Sequence, residues 1–293
     1  MAKKFFKVLN TNIRSITTPE LKREIAFLLK SESAGKSIMG KVNAEFLLKG
    51  LESEEFRKAT ENFDLNIADG VGVLWAAKYL SLPLKAKKLR ITNFKLLITI
   101  EAVWQMIYTG ADLVFYPKSA RTVIPELFSG VDAMRTIVKT AKDCDVSIFL
   151  FGGEKEVVEK ATEILKKEYP GIKIGGFHDG YDYKDEEIIE NINESGAKIL
   201  FVAMGSPKQE YWIRDNIEKL HSVKLAVAEG GSLDFLAGDF KRAPRWMINL
   251  GLEWLFRLFY NKSKTPTGSR AIRVLKAVPF FIYKTVRFKL GQK

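Results

Sequence analysis

Three stretches of this 293-residue chain combine residue types and spacings that can do chemistry. The first, ADGVG at 68–72, sets one carboxylate among glycines, which let a substrate come close. An aspartate before a helix starting near Val73 reads as an N-cap; with its glycines, Asp69 also reads as a candidate general base. The second, MGSPKQEYW at 204–212, runs Gly205-Ser206-Pro207 into a helix. Free N–H groups at such a start favour phosphate, and Gln209 in the first turn can bond a sugar or a base. In the third, EGGSLDFLAGDFKRAP at 229–244, Gly230, Gly231 and Ser232 can form an anion-binding nest and Asp234 an N-cap. Arg242 stands where a pyrophosphate can meet it, or where a helix-end salt bridge can form. No Walker A ending and no G-x-G-x-x-G run is present, which counts against a nucleotide triphosphatase and a dinucleotide enzyme.

The elements around these stretches alternate. VSIFLF (146–151) reads as a strand closed by Gly152-Gly153. Residues 154–169 have helical period, with Val157, Val158, Ala161, Ile164 and Leu165 on one face, and Pro170-Gly171 ends them. A strand at 172–177, a helix with Ile188, Ile189 and Ile192 inward, a strand at 198–205, a helix from Pro207 and a strand at 225–231 follow. Continuous apolar strands separated by helices predict an α/β fold: a Rossmann-like parallel sheet with helices on both faces. Ligands in such folds bind beyond the carboxyl ends of the strands. Gly152-Gly153, Gly175-Gly176, Gly205 and Gly230-Gly231 are read there, as ligand-approach positions or as ordinary tight turns. Residues 1–35 read as an amphipathic lead-in. Residues 94–116, interrupted by Lys95, Glu101 and Asp112, read as a buried helical pair, with a membrane-dipping hairpin as the alternative.

Charge is unevenly placed. From Lys241 onward there are 13 Lys and Arg and one acid, Glu253, whereas residues 1–240 balance at 34 of each, so the whole net charge of +12 lies in 241–293. A basic tail on a neutral body implies an anionic partner, lipid or nucleic acid. One cysteine, Cys144, excludes an internal disulfide and a cysteine-based zinc cluster, and two histidines are too few for a typical histidine site. The start has no long apolar run, and no signal peptide or spanning helix is expected.

With these motifs in order, the chain resembles the WecG/TagA/CpsF glycosyltransferases, glycosyltransferase family 26. The matching stretches are VNAEFL (42–47), IADGVGV (67–73), SGVDAM (129–134), IFLFGG (148–153), YPGIKIGGFHDGY (169–181), LFVAMGSPKQEYWI (200–213), GGSLDFLAGDFKRAPRWM (230–247) and LEWLFRL (252–258). The resemblance implies a Rossmann-like fold of the GT-E type and an inverting, metal-independent hexosyltransferase needing no cofactor. It would move an N-acetylmannosamine-type sugar from a UDP-sugar to a polyprenyl-diphosphate-linked sugar, in wall-polymer (teichoic acid) or surface-polysaccharide assembly. By resemblance Asp69 is the general base, Asn43 is the asparagine of the family's T-x-N motif, Gln209 lines the donor pocket, and arginines of a C-terminal appendage complete the site. Two departures stand out. Lys41 occupies the threonine position of T-x-N, where it can pair with donor phosphate or mark a different sugar. About forty residues (86–128) also separate AAKYL from SGVDAM where the family's spacing is much shorter.

The expected organisation is a core at 1–240 carrying the 86–128 insertion, and a basic amphipathic appendage at 241–293. In this appendage Met247, Leu250, Trp254 and Leu258 form a stripe, docked on the core or against lipid. After KSKTPTGS, short helices pair Arg273 with Lys276 and Lys284 with Arg287 around Val278 to Ile282, which suits an anionic interface. Arg257, Arg270 and Arg273 are the tail candidates for reaching a diphosphate, with membrane attachment alone as the alternative. Attachment would be peripheral, at the inner face of a bacterial cell membrane, and a homo-oligomer is compatible with the family. A nucleic-acid-binding protein using the tail, and a nucleotide-sugar hydrolase or epimerase, are the competing readings; no nucleic-acid motif is present, and no nucleic acid is expected.

Overall fold

The computed structural model describes residues 4–88, 94–238, 243–244, 247, 256 and 267–292. A hairpin comes first: β1 (Phe5–Val8) and β2 (Thr11–Arg14) pair antiparallel through a turn at Leu9. The 1–35 stretch is therefore a hairpin followed by α1 (Thr18–Lys30), not one amphipathic lead-in. Four-residue strands are too short to show an alternation in sequence. At the start of α1 the Glu20 carboxylate accepts the Thr17 N–H at 2.8 Å, and Leu21, Ile25 and Leu29 are buried.

Next come β3 (Ser37–Met39), β4 (Lys41–Val42), α2 (Ala44–Glu52), α3 (Glu54–Ala59), β5 (Ile67–Ala68), α4 (Val71–Ser81), α5 (Phe94–Phe115) and α6 (Pro117–Ala120). The alternating half is α7 (Gly130–Asp143), β6 (Ser147–Gly152), α8 (Lys155–Glu168), β7 (Lys173–His178), α9 (Asp185–Glu194), β8 (Ile199–Ala203), α10 (Lys208–Asn216), β9 (Leu225–Ala228) and α11 (Ser232–Leu236). The last described helix is α12 (Thr267–Leu290).

Five strands form one parallel sheet in the order β3-β9-β8-β6-β7, as the continuous apolar runs predict. Successive residues of a strand enter different cores. Ile148, Leu150, Ile199, Phe201, Leu225 and Val227 pack under α1, α7, α8 and α11. Phe149, Phe151, Leu200, Val202, Ala226 and Ala228 pack under α9 and α10. The strand interrupted at Gly40 changes partner: β3 pairs with β9, and β4 pairs with β5 in a separate two-stranded ladder.

A third cluster joins the hairpin, α2, α4 and the far end of the chain. Phe281 is buried against Trp75, with ring centroids 6.2 Å apart, and Thr285 is buried beside it. The segment after KSKTPTGS is thus one 24-residue helix with Pro279 inside it, not a set of short helices, and its second half is docked.

The Phe94–Tyr116 stretch is also corrected. It is a single helix, α5, not a buried pair, and one of its faces is exposed along its length. No helix among the described residues is long and apolar enough to cross a membrane.

Candidate active site

The order of the sheet reverses between β6 and β8, the place where such folds leave a crevice. Here the backbone itself closes it. A Cβ on Gly152, at φ +119°, would sit 2.5 Å from the Ala203 carbonyl, and the Gly153 N–H donates to Ala203 O at 3.0 Å. The Gly180 N–H donates in turn to Gly153 O at 3.0 Å. Gly152 and Gly153 therefore hold strand ends together. Gly175-Gly176 lie inside β7 rather than at its end, where Gly176 makes room for the Phe149 ring.

The chemistry-bearing residues converge one strand further along, where β4, β5 and β9 end. Lys41 and Glu229, both buried, form an ion pair. The Lys41 ammonium also donates to Gly130 O at 2.9 Å and to Ser232 Oγ at 3.3 Å, and Ser232 Oγ donates to Glu229 Oε2 at 2.9 Å. Glycine at 130 is needed, since a Cβ there would meet Ser232 Oγ at 2.7 Å. Burial pulls Lys41 down to about 7 and the Asp69 carboxylate pulls it back up. Lys41 is thus committed to internal partners rather than presented as a free phosphate ligand.

Asp69 and Asn43 are neighbours across the β4–β5 ladder, one residue past the Val42–Ala68 pair, with the Asp69 N–H on Val42 O at 2.8 Å. Asn43 is exposed, and its side chain caps α2 by accepting the Phe46 N–H at 2.9 Å. Asp69 is half-buried, follows a strand rather than a helix, and is not a cap: Gly70, at φ +106°, occupies that position before α4.

A loop from β8 completes the rim. Gly205 and Ser206 are exposed, and Pro207 is the N-cap of α10. Gln209 is buried; its Oε1 accepts the Gly230 N–H at 2.9 Å and its Nε2 donates to Glu210 Oε1 at 3.0 Å. Gln209 therefore ties the β8 loop to the β9 loop, Gly230-Gly231-Ser232. Burial raises the Glu210 carboxyl above its usual range, against the Gln209 bond. From α2, Lys49 donates to Ser206 O at 2.9 Å and to its Oγ at 3.2 Å. Asp234 lies inside the first turn of α11, whose N-cap is Gly231, so the N-cap reading of Asp234 fails.

Arg242 and Arg257 lie outside the described residues, as do Leu250, Trp254 and Leu258 of the expected stripe. Arg270 and Arg273 fall in the first half of α12, where only the backbone is described.

Sequence reading missed Glu229 and Lys49. An acid directly after an apolar strand, matched to an unexplained lysine in β4, was the available signal for Glu229; nothing local pointed to Lys49. Elsewhere, Asp143-Cys144-Asp145 has the Asp-x-Asp spacing of metal-dependent transferases. It precedes β6, at the amino ends of the strands, and its carboxylates pair with Lys139 and Lys173. A shallow concavity of about 530 Å³ on α9 is lined by Glu186, Glu190 and Glu194, which would repel a diphosphate.

The sequence model of the glycosyl transferase WecG/TagA/CpsF family matches residues 6–106 and 98–293. The chain belongs to this family. The two matched stretches meet inside α5, within the 86–128 segment read as an insertion. The chain is 34% identical over 152 residues to the N-acetylglucosaminyldiphosphoundecaprenol N-acetyl-beta-D-mannosaminyltransferase of Bacillus subtilis (strain 168), covering 52% of this chain and 59% of that protein. It is 26% identical over 222 residues to the protein of the same name from Bacillus spizizenii (strain ATCC 23059 / NRRL B-14472 / W23), covering 76% and 70%. The chain thus spans about three fifths of the length of the first relative and more of the second.

Proposed function

We propose that this family member is an inverting transferase. It moves an N-acetylmannosamine-type sugar from a UDP-sugar to a hydroxyl of a polyprenyl-diphosphate-linked sugar; its relatives' names give the transferred N-acetylmannosaminyl group and the N-acetylglucosaminyldiphosphoundecaprenol acceptor for them. The observation that carries the reading is the Asp69 carboxylate at the end of β5, beside Asn43 and the Lys41–Glu229–Ser232 cluster. The acceptor oxygen attacks the anomeric carbon and its proton passes to Asp69. The bond from that carbon to the diphosphate breaks, and UDP leaves from the opposite face, which inverts the centre. Charge growing on the diphosphate needs donors. Loops 205–206 and 231–232, braced by Gln209 and Lys49, would supply backbone N–H groups, with tail arginines adding charge. Glu229 Oε1 is buried and has no hydrogen-bond partner among the described residues.

The acceptor is lipid-linked in this reading, so the chain works peripherally at the inner face of the cell membrane. UDP release from a panel of UDP-N-acetylhexosamines, with and without a polyprenyl-diphosphate-GlcNAc acceptor, tests it. Release that needs the acceptor and is lost in Asp69→Asn is expected. Release without acceptor would point to a hydrolase instead, and no release with any donor would refute the reading.

A further inference from the structure

Helix α5 turns several polar side chains inward. Four of them face the protein: Glu101 accepts the N–H groups of Lys85 and Ala86 at 2.8 Å, and Gln105 donates to Pro83 O at 3.0 Å. Thr109 is buried, and so is Asp112, which takes the Ser119 hydroxyl at 2.5 Å. Ile98 and Ala102 are buried, while a longer apolar row faces outward. Leu96, Ile100, Trp104, Ile107, Val114 and Phe115 recur at helical spacing, with Trp104 67% and Phe115 73% exposed. The stripe runs the length of a 22-residue helix, roughly 33 Å at 1.5 Å per residue. Soluble surfaces rarely carry so long an apolar patch without a partner.

The surroundings indicate the occupant. The described cations on and beside α5, Lys85, Lys95, Lys118 and Arg121, are exposed, whereas its two acids, Glu101 and Asp112, are the inward-facing ones. Helix α12 packs alongside α5, with Lys289 bonded to Gln105 Oε1 at 2.5 Å. It continues the same chemistry: exposed Phe280 and Tyr283 carry Lys284 and Arg287 over their rings. A second copy of the chain meeting this face by two-fold symmetry would set these cationic margins against each other. An anionic lipid surface satisfies both the apolar stripe and its basic border.

We infer that the exposed face of α5, with the neighbouring face of α12, is the surface on which this protein lies in an anionic bilayer. Helix α5, and not the basic tail alone, holds it there. This deepens the transferase reading, on which it rests for the need to meet lipid, but its test uses no activity.

The full chain is sedimented with phosphatidylcholine vesicles with and without phosphatidylglycerol. Binding that requires phosphatidylglycerol, and that weakens by about tenfold or more in an Ile100→Glu/Ile107→Glu variant of unchanged melting temperature, is expected. Lipids brominated in the acyl chains should quench tryptophan fluorescence, and Trp104→Phe should abolish most of that quenching. Undiminished binding of the double variant, or quenching indifferent to Trp104→Phe, overturns the inference and leaves the tail as the sole anchor. A lipid-free dimer that the double variant dissociates overturns it in favour of an interface between copies. Transfer to a detergent-dispersed acceptor is read separately. Its absence in both chains would refute the transferase reading while the vesicle result stood.

Discussion

Replacing Glu229 with glutamine strands the Lys41 ammonium among buried groups. A buried ion pair broken on one side costs about 3–5 kcal/mol. A lysine has an escape, because it can give up its proton. Relative to wild type, the cost is therefore capped by that of neutralising Lys41 from its folded value of about 7, roughly 2.7 kcal/mol at pH 5 and roughly 1.4 kcal/mol at pH 6. Burial already depresses Lys41 to about 7, against the pull of Asp69, and loss of the Glu229 charge lowers it further. Below about 7 wild type keeps the Lys41 proton on folding while the variant releases it, so the variant regains stability against wild type as pH rises towards 7. Urea unfolding of Glu229→Gln against wild type at pH 5, 6 and 7 should give a loss of about 2–3 kcal/mol at pH 5 that shrinks by roughly 1.4 kcal/mol per pH unit. Lys41→Met should show the opposite slope, since the stranded carboxylate is penalised only while ionised. The double variant should recover much of either loss. A loss under about 1 kcal/mol at pH 5, a pH-independent loss or strictly additive single variants would refute the buried-pair account.

Three further outcomes follow from named contacts. Asp69→Asn should lower acceptor-dependent UDP release by about 10²–10⁴-fold while leaving UDP affinity, measured by calorimetry, within about twofold. Gly152→Ala forces a Cβ to within 2.5 Å of Ala203 at a positive φ and should cost several kcal/mol, about 2–4, by thermal unfolding. Phe281→Ala should destabilise the whole chain by about 3–5 kcal/mol; a loss near zero would mean that α12 is an undocked appendage.

Much of the alternating half was legible because its strands are buried on both faces and read as unbroken apolar runs. Ser147–Gly152 and Ile199–Ala203 are such strands, and helices Lys155–Glu168 and Asp185–Glu194 carry a clean 3.6 period between them. The two-residue strands Lys41–Val42 and Ile67–Ala68 were illegible, yet they place Asn43 beside Asp69. Motif chemistry found Asp69, Gln209 and Ser232, but not how they are held. The contacts that brace the site, Lys41 with Glu229 and Lys49 with Ser206, act across 188 and 157 residues of chain and leave no local period. Helix Phe94–Phe115 misled for a different reason. Its apolar residues have the spacing of a core helix, and periodicity reports which residues share a face but not which way that face looks.

The docking of Phe281 against Trp75 also bears on how the molecule is synthesised. When residue 240 leaves the ribosome, every strand of the sheet has emerged and can pair. The cluster begun by the hairpin, α2 and α4 still has an open side, because the residues that close it lie some two hundred positions downstream. A nascent chain at that stage displays Trp75 and its neighbours to any chaperone, or to another nascent chain. Completion of the fold is deferred to the last helix, which is also the helix lying beside the outward-facing stripe of α5. The sticky interior is thus covered only as the segment that borders the lipid-facing stripe is finished.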